Sequence, residues 1–304
     1  HPHSDIAVWR QRLAAGQIWR NGQQLWGDGP LAAGDRLVWH RPPWQEAAVP
    51  VLPSPLFDDG DLLVFNKPSG LQVLPAGGFL RHTVLGQLEA QVAAGVLAAA
   101  AGQPRPVHRL GRYTSGLLVC ARSARARAWL SAQLRDSTAL AQHGSGRGCV
   151  KVYRALLQLP QHDSPLARLT TLAPGESLRL DTPIGRRPHP RLGSIWCAAP
   201  EDGSALAATS RFSLLERRPE AWLVEVAIAT GRPHQIRIHA AAGGAPLLGD
   251  PLYAPGGLAG PEALPGDGGY HLHAQRLTLL QSTGRQLQLQ APLPTLLQVG
   301  GALG

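Results

Sequence analysis

The chain lacks the features that would staple it covalently or anchor it in lipid. Its 304 residues include three cysteines, Cys120, Cys149 and Cys197. Their number is odd, their spacing is wide and no Cys-x-x-Cys pair occurs, which argues against a disulfide framework and a structural zinc site. A reducing cytoplasm is the expected setting. No run of 18 apolar residues and no apolar signal core at the first residues are present, so no membrane span is expected. Acids are scarce, with 20 Asp and Glu against 29 Lys and Arg, a net charge of +9 and a pI of about 10.4. Lysine is nearly missing as well: Lys67 and Lys151 are the only two, and every other cation is arginine. A GC-rich genome encodes arginine freely. Arginine's planar fork also suits phosphate and base edges, so the expected partner is a polyanion, and first among these a nucleic acid. Internal repeats are absent. The loop His143–Gly148 is not followed by the Lys-Ser/Thr of a phosphate-cradling loop.

What is present reads as one large globular domain with a small appendage. Hydrophobic residues make up 44% of the chain and charged residues 16%, enough for a real core. Residues 1–48 form the appendage. Gln17–Leu25 alternates as a strand broken by Asn21-Gly22, a hairpin turn signal, and Gly34–Trp39 follows as another turn and strand. This stretch resembles the second half of an S4-type RNA-binding module, with a short helical first part. A proline-rich linker follows at Pro42, Pro43, Pro50, Pro53 and Pro55. Residues 49–304 form the main domain. Leu62–Phe65 reads as a buried strand after an acidic turn, Asp58–Asp61. Helical periodicity covers 83–101 and 122–136, the second helix capped by Ser123. Short strands are expected at Val150–Leu159, Leu178–Leu180, Ala207–Glu216, Leu223–Thr230 and Arg276–Leu280. A helix starts near His234, and Pro255–Asp267 is a surface loop. Strands and helices without strict alternation predict an α+β fold with a mixed, mostly antiparallel sheet and flanking helices.

The most informative stretch is Pro106–Val119, PVHRLGRYTSGLLV. A polar turn opening with His108 and Arg109 feeds an apolar strand, the arrangement in which chemistry sits on a loop held by a rigid element. Thr114 and Ser115 can bond the loop backbone, and Gly116 allows close approach. This stretch closely resembles the His-Arg-Leu-Asp-x-x-Thr-Ser-Gly signature of RluA-type pseudouridine synthases. Leu63–Pro75 (LVFNKPSGLQVLP), Lys151–Ala155 (KVYRA), Thr230–His239 (TGRPHQIRIH) and Gly249–Tyr253 (GDPLY) resemble further motifs of that family, in the same order. Five motifs in register over about residues 56–285 are far more specific than one.

The resemblance implies the pseudouridine synthase fold and cofactor-free isomerisation of uridine in rRNA or tRNA. In that chemistry an aspartate attacks a flipped-out uridine, the glycosidic bond breaks, the uracil turns, and C5 bonds to the ribose. It implies that Tyr153 stacks on or deprotonates the base and that Arg237 holds the aspartate. The sequence departs at the aspartate itself, where Gly111 stands, and glycine supplies neither nucleophile nor base. Nearby Tyr113 is a phenol, mostly neutral at pH 7. Glu89 and Asp136 lie on expected helices. Asp250 reads as a turn carboxylate before it reads as a substitute acid. Arg237, without its partner, is expected to find another acid, a phosphate or water. RNA contacts are expected from Lys67, His108, Arg109, Arg112, Tyr113, Thr114, Ser115, Arg232 and His234, with His108 capping the loop. Metal is not expected: His234 and His239 miss helical i, i+4 spacing, and His271 and His273 have no third ligand. The protein is expected to be a monomer. Two readings remain: a synthase that manages without the aspartate, and a non-catalytic RNA-binding protein using the same cleft in RNA folding or ribosome assembly.

Overall fold

The structure, a computed structural model, describes residues 5–43, 45–99, 101–142, 149–199, 205–228, 230–281 and 284–301, with side chains 135–142 excepted. The expected loop His143–Gly148 lies outside the described residues. Two compact units are present, His1–Glu46 and Ala47–Gly304.

The first unit opens with helix α1 (Ile6–Ala14), whose first turn is capped by the Asp5 carboxylate accepting from Val8 N–H. Strands β1 (Ile18–Arg20), β2 (Gln23–Leu25) and β3 (Leu37–Trp39) form an antiparallel sheet in the order β2-β1-β3. Asn21 and Gly22 both adopt positive φ, 51° and 84°, as the two-residue hairpin requires. The Arg12 guanidinium lies 3.8 Å from the Trp39 ring and 4.6 Å from the Trp9 ring. This cation–π sandwich welds helix to sheet in a unit too small for a large core.

The second unit is built on one ten-stranded sheet. Its elements are β4 (Phe57–Asp58), β5 (Leu62–Lys67), α2 (Val84–Ala93), β6 (Arg105–Pro106), β7 (Thr114–Ala121), α3 (Ala124–Gln142) and β8 (Val150–Leu157). After these come β9 (Leu178–Leu180), β10 (Ile184–His189), β11 (Gly193–Ala198), β12 (Ser210–Arg217), β13 (Trp222–Ile228) and α4 (Gln235–Ala242). The last are β14 (Tyr253–Ala254), β15 (Leu258–Ala259), β16 (Leu272–Leu280) and β17 (Gln286–Gln290). The main order is β4-β5-β7-β16-β8-β13-β12-β9, with β6 on β7 and β17 on β16. Among its paired strands, β7 with β16 is parallel and the others are antiparallel. The α+β, mostly antiparallel architecture is therefore as expected.

Strand β7 is buried along its whole length, which accounts for its nearly unbroken apolar run and its central place. Gly116 has φ of 100°, and a Cβ there would lie 2.2 Å from the Ala274 carbonyl oxygen on β16. Only glycine lets the two backbones meet at that point. The helix over 83–101 ends early, at Ala93, because Gly95 turns the chain at φ 72°. The other helix runs longer than expected, to Gln142, and Ser123 Oγ caps it by accepting from Ala126 N–H. The acidic turn before β5 is structural. Asp58 pairs with buried Arg122 through two bonds of 2.7 and 2.8 Å, and Asp61 accepts from Ser123 N–H and Oγ–H. The hairpin β10–β11 is a finding beyond the sequence reading, because Pro183, Pro188 and Pro190 disguise it. Inside the expected loop Pro255–Asp267, β15 pairs with β14.

Gly116→Ala is expected to lower stability by at least about 2 kcal/mol, from an unfavourable φ and a backbone clash together. Urea unfolding followed by circular dichroism measures it.

Candidate active site

The polar turn 108–113 is fastened from three directions. His108 Nε2 accepts from Val119 N–H at 3.0 Å, tying the turn back onto β7. Burial, with the Lys151 charge nearby, pushes His108 down to a pKa of about 3, so the imidazole is neutral and can accept. From the side, the segment after β5 is laced to the turn. Gly70 N–H donates to the Arg112 carbonyl, Arg112 Nε donates to the Gly70 carbonyl, and Ser69 Oγ donates to the Tyr113 carbonyl. A turn bond from Thr114 N–H to the Gly111 carbonyl, 3.0 Å, closes the loop onto the strand.

Lys67 requires a correction. It was expected to touch RNA, but it is fully buried at the end of β5. Its Nζ donates to the carbonyls of Pro68, Leu71 and Arg112 at 2.9, 2.9 and 3.1 Å. Burial lowers its pKa to about 7, while three carbonyl acceptors take the three hydrogens that only the ammonium form possesses. Lys67 is thus a strut beneath the turn. Lys151 is buried too, donating to the Leu134 carbonyl at 2.7 Å, so the accessible positive charge is arginine. Arg109 is exposed and makes no hydrogen bond or ion pair to a described residue. Arg112 covers the rings of Phe79 and Tyr113 at 4.5 and 5.2 Å.

The Thr230–His239 segment enters helix α4. Gln235 organises its start: Oε1 accepts from Thr230 Oγ–H and Arg232 N–H, and Nε2 donates to the Thr209 carbonyl and Ser210 Oγ. Arg232 is half-buried, its Nε donating to the Ala207 carbonyl. His234 takes the left-handed cap position, φ 55°. The Tyr253 hydroxyl lies 2.7 Å from both the Trp196 carbonyl and His234 Nδ1. A carbonyl only accepts, so the single phenolic proton goes to Trp196, and Nδ1 must carry the hydrogen that bonds Tyr253. Burial and the neighbouring Arg237 charge lower His234 to about 3, which leaves Nε2 a bare acceptor.

One turn further on, Arg237 is 2% exposed and finds its acid. Nε and an Nη donate to the two oxygens of Asp250, both at 2.7 Å, in the bidentate geometry that makes such pairs strong. Burial opposes the Arg237 charge. The bonds to Asp250, the Tyr270 and Asp250 fields and the Tyr253 ring outweigh it and leave the pKa raised. Asp250 also keeps its turn role, accepting from Leu252 N–H at 2.9 Å. The guanidinium is stacked 4.2 Å from the Tyr270 ring and 5.1 Å from the Tyr253 ring.

Tyr270 links this pair to the polar turn. Its hydroxyl is 3.2 Å from Thr114 Oγ1, and its ring meets Tyr113 edge-on at 6.1 Å. A Cβ at Gly111 would lie 2.3 Å from the same hydroxyl. Gly111 is therefore the residue type that lets the phenol in. Tyr113, Tyr153 and Tyr270 pack on one apolar cluster. Tyr153, on β8 opposite Ala274 and Val226, is half-buried, and burial raises its pKa. Its hydroxyl bonds to no described residue. Thr114 and Ser115, expected to touch RNA, are corrected with Lys67: both are buried, Thr114 against Tyr270 and Ser115 with its Oγ 2.8 Å from His273 Nδ1 inside the sheet. Tyr270 belongs to no motif in the sequence. Its signal lay in register: Leu272 on β16 pairs with Thr114, which sets Tyr270 against the turn. Among the described residues no cluster of three metal-ligating side chains occurs, and no helix is long and apolar enough to cross a membrane.

Asp250→Ala is expected to cost about 3–5 kcal/mol in urea unfolding, because it strands a buried guanidinium. The histidine has a separate signature. The unfolded state binds a proton near pH 6.5 that the folded His108 refuses until about pH 3, so stability is full above pH 6.5 and falls as pH drops toward 3. His108→Gln, which retains an acceptor for Val119 N–H, is expected to flatten part of that slope in a pH series of unfolding curves.

Comparison with known proteins gives the arrangement its kinship. The family model for RNA pseudouridylate synthase matches residues 61–242. An uncharacterized RNA pseudouridine synthase of Synechocystis sp. is 41% identical over 96% of this chain and 90% of its own. RNA pseudouridine synthase 5 of Arabidopsis thaliana is 37% identical over 95% and 85%. Ribosomal large subunit pseudouridine synthase D of Neisseria meningitidis is 32% identical over 94% and 72%. In fold, the structure resembles human RNA pseudouridylate synthase domain containing 4, with a TM-score of 0.54, 23% identity, and coverage of 80% of this chain and 90% of that one. Identity of this order along nearly the whole chain, on a shared fold, makes the chain a member of the RNA pseudouridylate synthase family.

Proposed function

We propose that this protein is an RluA-type pseudouridine synthase that isomerises uridine in structured rRNA or tRNA without a cofactor, acting as a cytoplasmic monomer. The observation that carries the reading is the Arg237–Asp250 pair stacked beneath Tyr270, directly under the turn of Arg109, Gly111 and Arg112. The pair holds a guanidinium in a fixed orientation against the Tyr270 ring, the kind of preorganised polar group that stabilises developing negative charge. A uridine must leave its stack to reach such a site. Arg109, Arg112 and Arg232 would hold the phosphates around it, and the small N-terminal unit, S4-like with exposed Arg41 against Trp39, would bind RNA as well.

Within this reading Tyr153 stacks on the base rather than deprotonating it. Its raised pKa keeps the phenol protonated at neutral pH, while its free hydroxyl and half-buried ring suit a stacking platform. His234 offers Nε2 as an acceptor, which matches the N3–H donor of uracil and not the N3 acceptor of cytosine. Gly111 stands where the family resemblance implies an aspartate. The Tyr270 hydroxyl that fills the adjoining volume also favours a second reading, in which the protein grips RNA and performs no chemistry.

Tritium release separates the two. On rRNA and tRNA transcripts carrying [5-³H]uridine, release is expected, since C5 must lose its hydrogen when it bonds to ribose. Tight binding with no release would establish the second reading. Binding itself is expected to weaken at least tenfold between 50 and 200 mM salt. Arg109→Ala should reduce the slope of log affinity against log salt by about 1, one phosphate contact's worth. Salt-insensitive binding would count against both.

A further inference from the structure

We infer that Tyr270 is the catalytic residue that supplies the reacting oxygen in place of the aspartate. The inference rests on the synthase reading above and adds to it the identity of the nucleophile.

Three observations converge on this side chain. First, its oxygen stands 2.3 Å from where the first side-chain carbon of residue 111 would be. It therefore occupies the root of the site from which the expected carboxylate would reach. Second, its ring lies 4.2 Å from the Arg237 guanidinium. A cation on the ring face stabilises charge building on the phenol oxygen, as it would for a carboxylate. Third, Thr114 Oγ1 lies 3.2 Å away and can donate to that oxygen. Of the other acids that the sequence reading weighed, Asp250 spends both oxygens on Arg237 and its own turn.

The chemistry balances without a further reagent. Tyr270 Oη bonds to ribose C1′ as the C1′–N1 bond breaks, and the phenolic proton passes to O2 of the departing uracil. The neutral uracil turns, and C5 bonds to C1′ as the C1′–Oη bond breaks. The C5 proton returns to Oη, and the O2 proton moves to N1. One proton leaves the phenol and one comes back, so Tyr270 ends as it began.

Because the RNA target is unidentified, the test reads every cellular RNA. In the source organism with this gene deleted, pseudouridines are mapped across total RNA, and the strain is complemented with wild type, Tyr270→Phe, Gly111→Asp or the double Gly111→Asp/Tyr270→Phe. The wild type is expected to restore a defined set of sites. Tyr270→Phe, which retains the ring on Arg237, should restore them at about one-hundredth the rate or less, with RNA affinity of the purified protein unchanged and a melting temperature lowered only by the lost bond to Thr114. Gly111→Asp alone should fail because the hydroxyl blocks the new side chain. The double variant should recover, because with the hydroxyl gone the added Cβ meets the ring carbon Cζ at 3.6 Å and Thr114 Oγ1 at 3.2 Å, a rotatable hydroxyl that can give way. Full restoration by Tyr270→Phe would overturn the inference and leave the synthase reading standing. Loss of RNA affinity in Tyr270→Phe, or the same loss of pseudouridine in Thr114→Val, which removes the buried bond but keeps the phenol, would make the role structural and overturn it too. A deletion that removes no pseudouridine would overturn the synthase reading itself, and this inference with it.

Discussion

The interaction on which the rest of the site depends is the ion pair between Arg237 and Asp250. Both side chains are almost wholly withdrawn from water, 3% and 0% exposed. A lone guanidinium would not persist there, because the cost of desolvating a charge exceeds most single interactions in a protein. The bidentate geometry makes burial tolerable, and two tyrosine rings close over it. The pair joins helix α4 to the turn after Gly249. Through Tyr270 it also supports the polar turn at Gly111. Position 237 is thus a fixed charge with a fixed orientation, which a surface arginine is not.

Around this pair the chain uses buried groups to hold polar loops rigid. His108 and His234 are both kept uncharged by burial, and each has one ring nitrogen committed to a structural bond. Lys67 spends its ammonium on three backbone carbonyls. These devices leave the exposed positive charge to arginine, on a scaffold whose loops cannot collapse onto it. A composition poor in acid and almost free of lysine acquires a structural meaning here. The two lysines are internal fasteners, and the phosphate-seeking residues lie elsewhere.

Gly111 and Tyr270 are best understood together. A side chain at 111 and a phenol at 270 compete for one volume, so a change at either has consequences at the other. Seen alone in the sequence, the glycine is a loss. Seen against Tyr270, it is a vacancy already filled by an oxygen of different reach, stacked on the same arginine.

Much was legible from residue order. The hairpin at Asn21-Gly22, the apolar run of β7 and the Ser123 cap follow from local rules of φ, hydrogen bonding and periodicity, which act between near neighbours. The family followed from five motifs in order, since each encodes a local backbone shape. The early stop of α2 at Gly95 and the proline-masked β10–β11 hairpin were less legible, because single residues overrode the pattern. What only tertiary structure decided was partnership across long separations. Asp250 was weighed as a turn carboxylate and is also the acid of Arg237; Lys67 looked like a surface cation and is an internal strut; Tyr270 drew no notice and meets Gly111. Tyr270 reaches Gly111 through the parallel register of β16 against β7, Asp250 reaches Arg237 through the packing of α4, and Lys67 is enclosed where β5 pairs with β7 and the polar turn folds over it. Periodicity and spacing carry no record of such distances, and burial, the quantity that decides whether a charge binds RNA or braces a loop, is set only once the chain has folded.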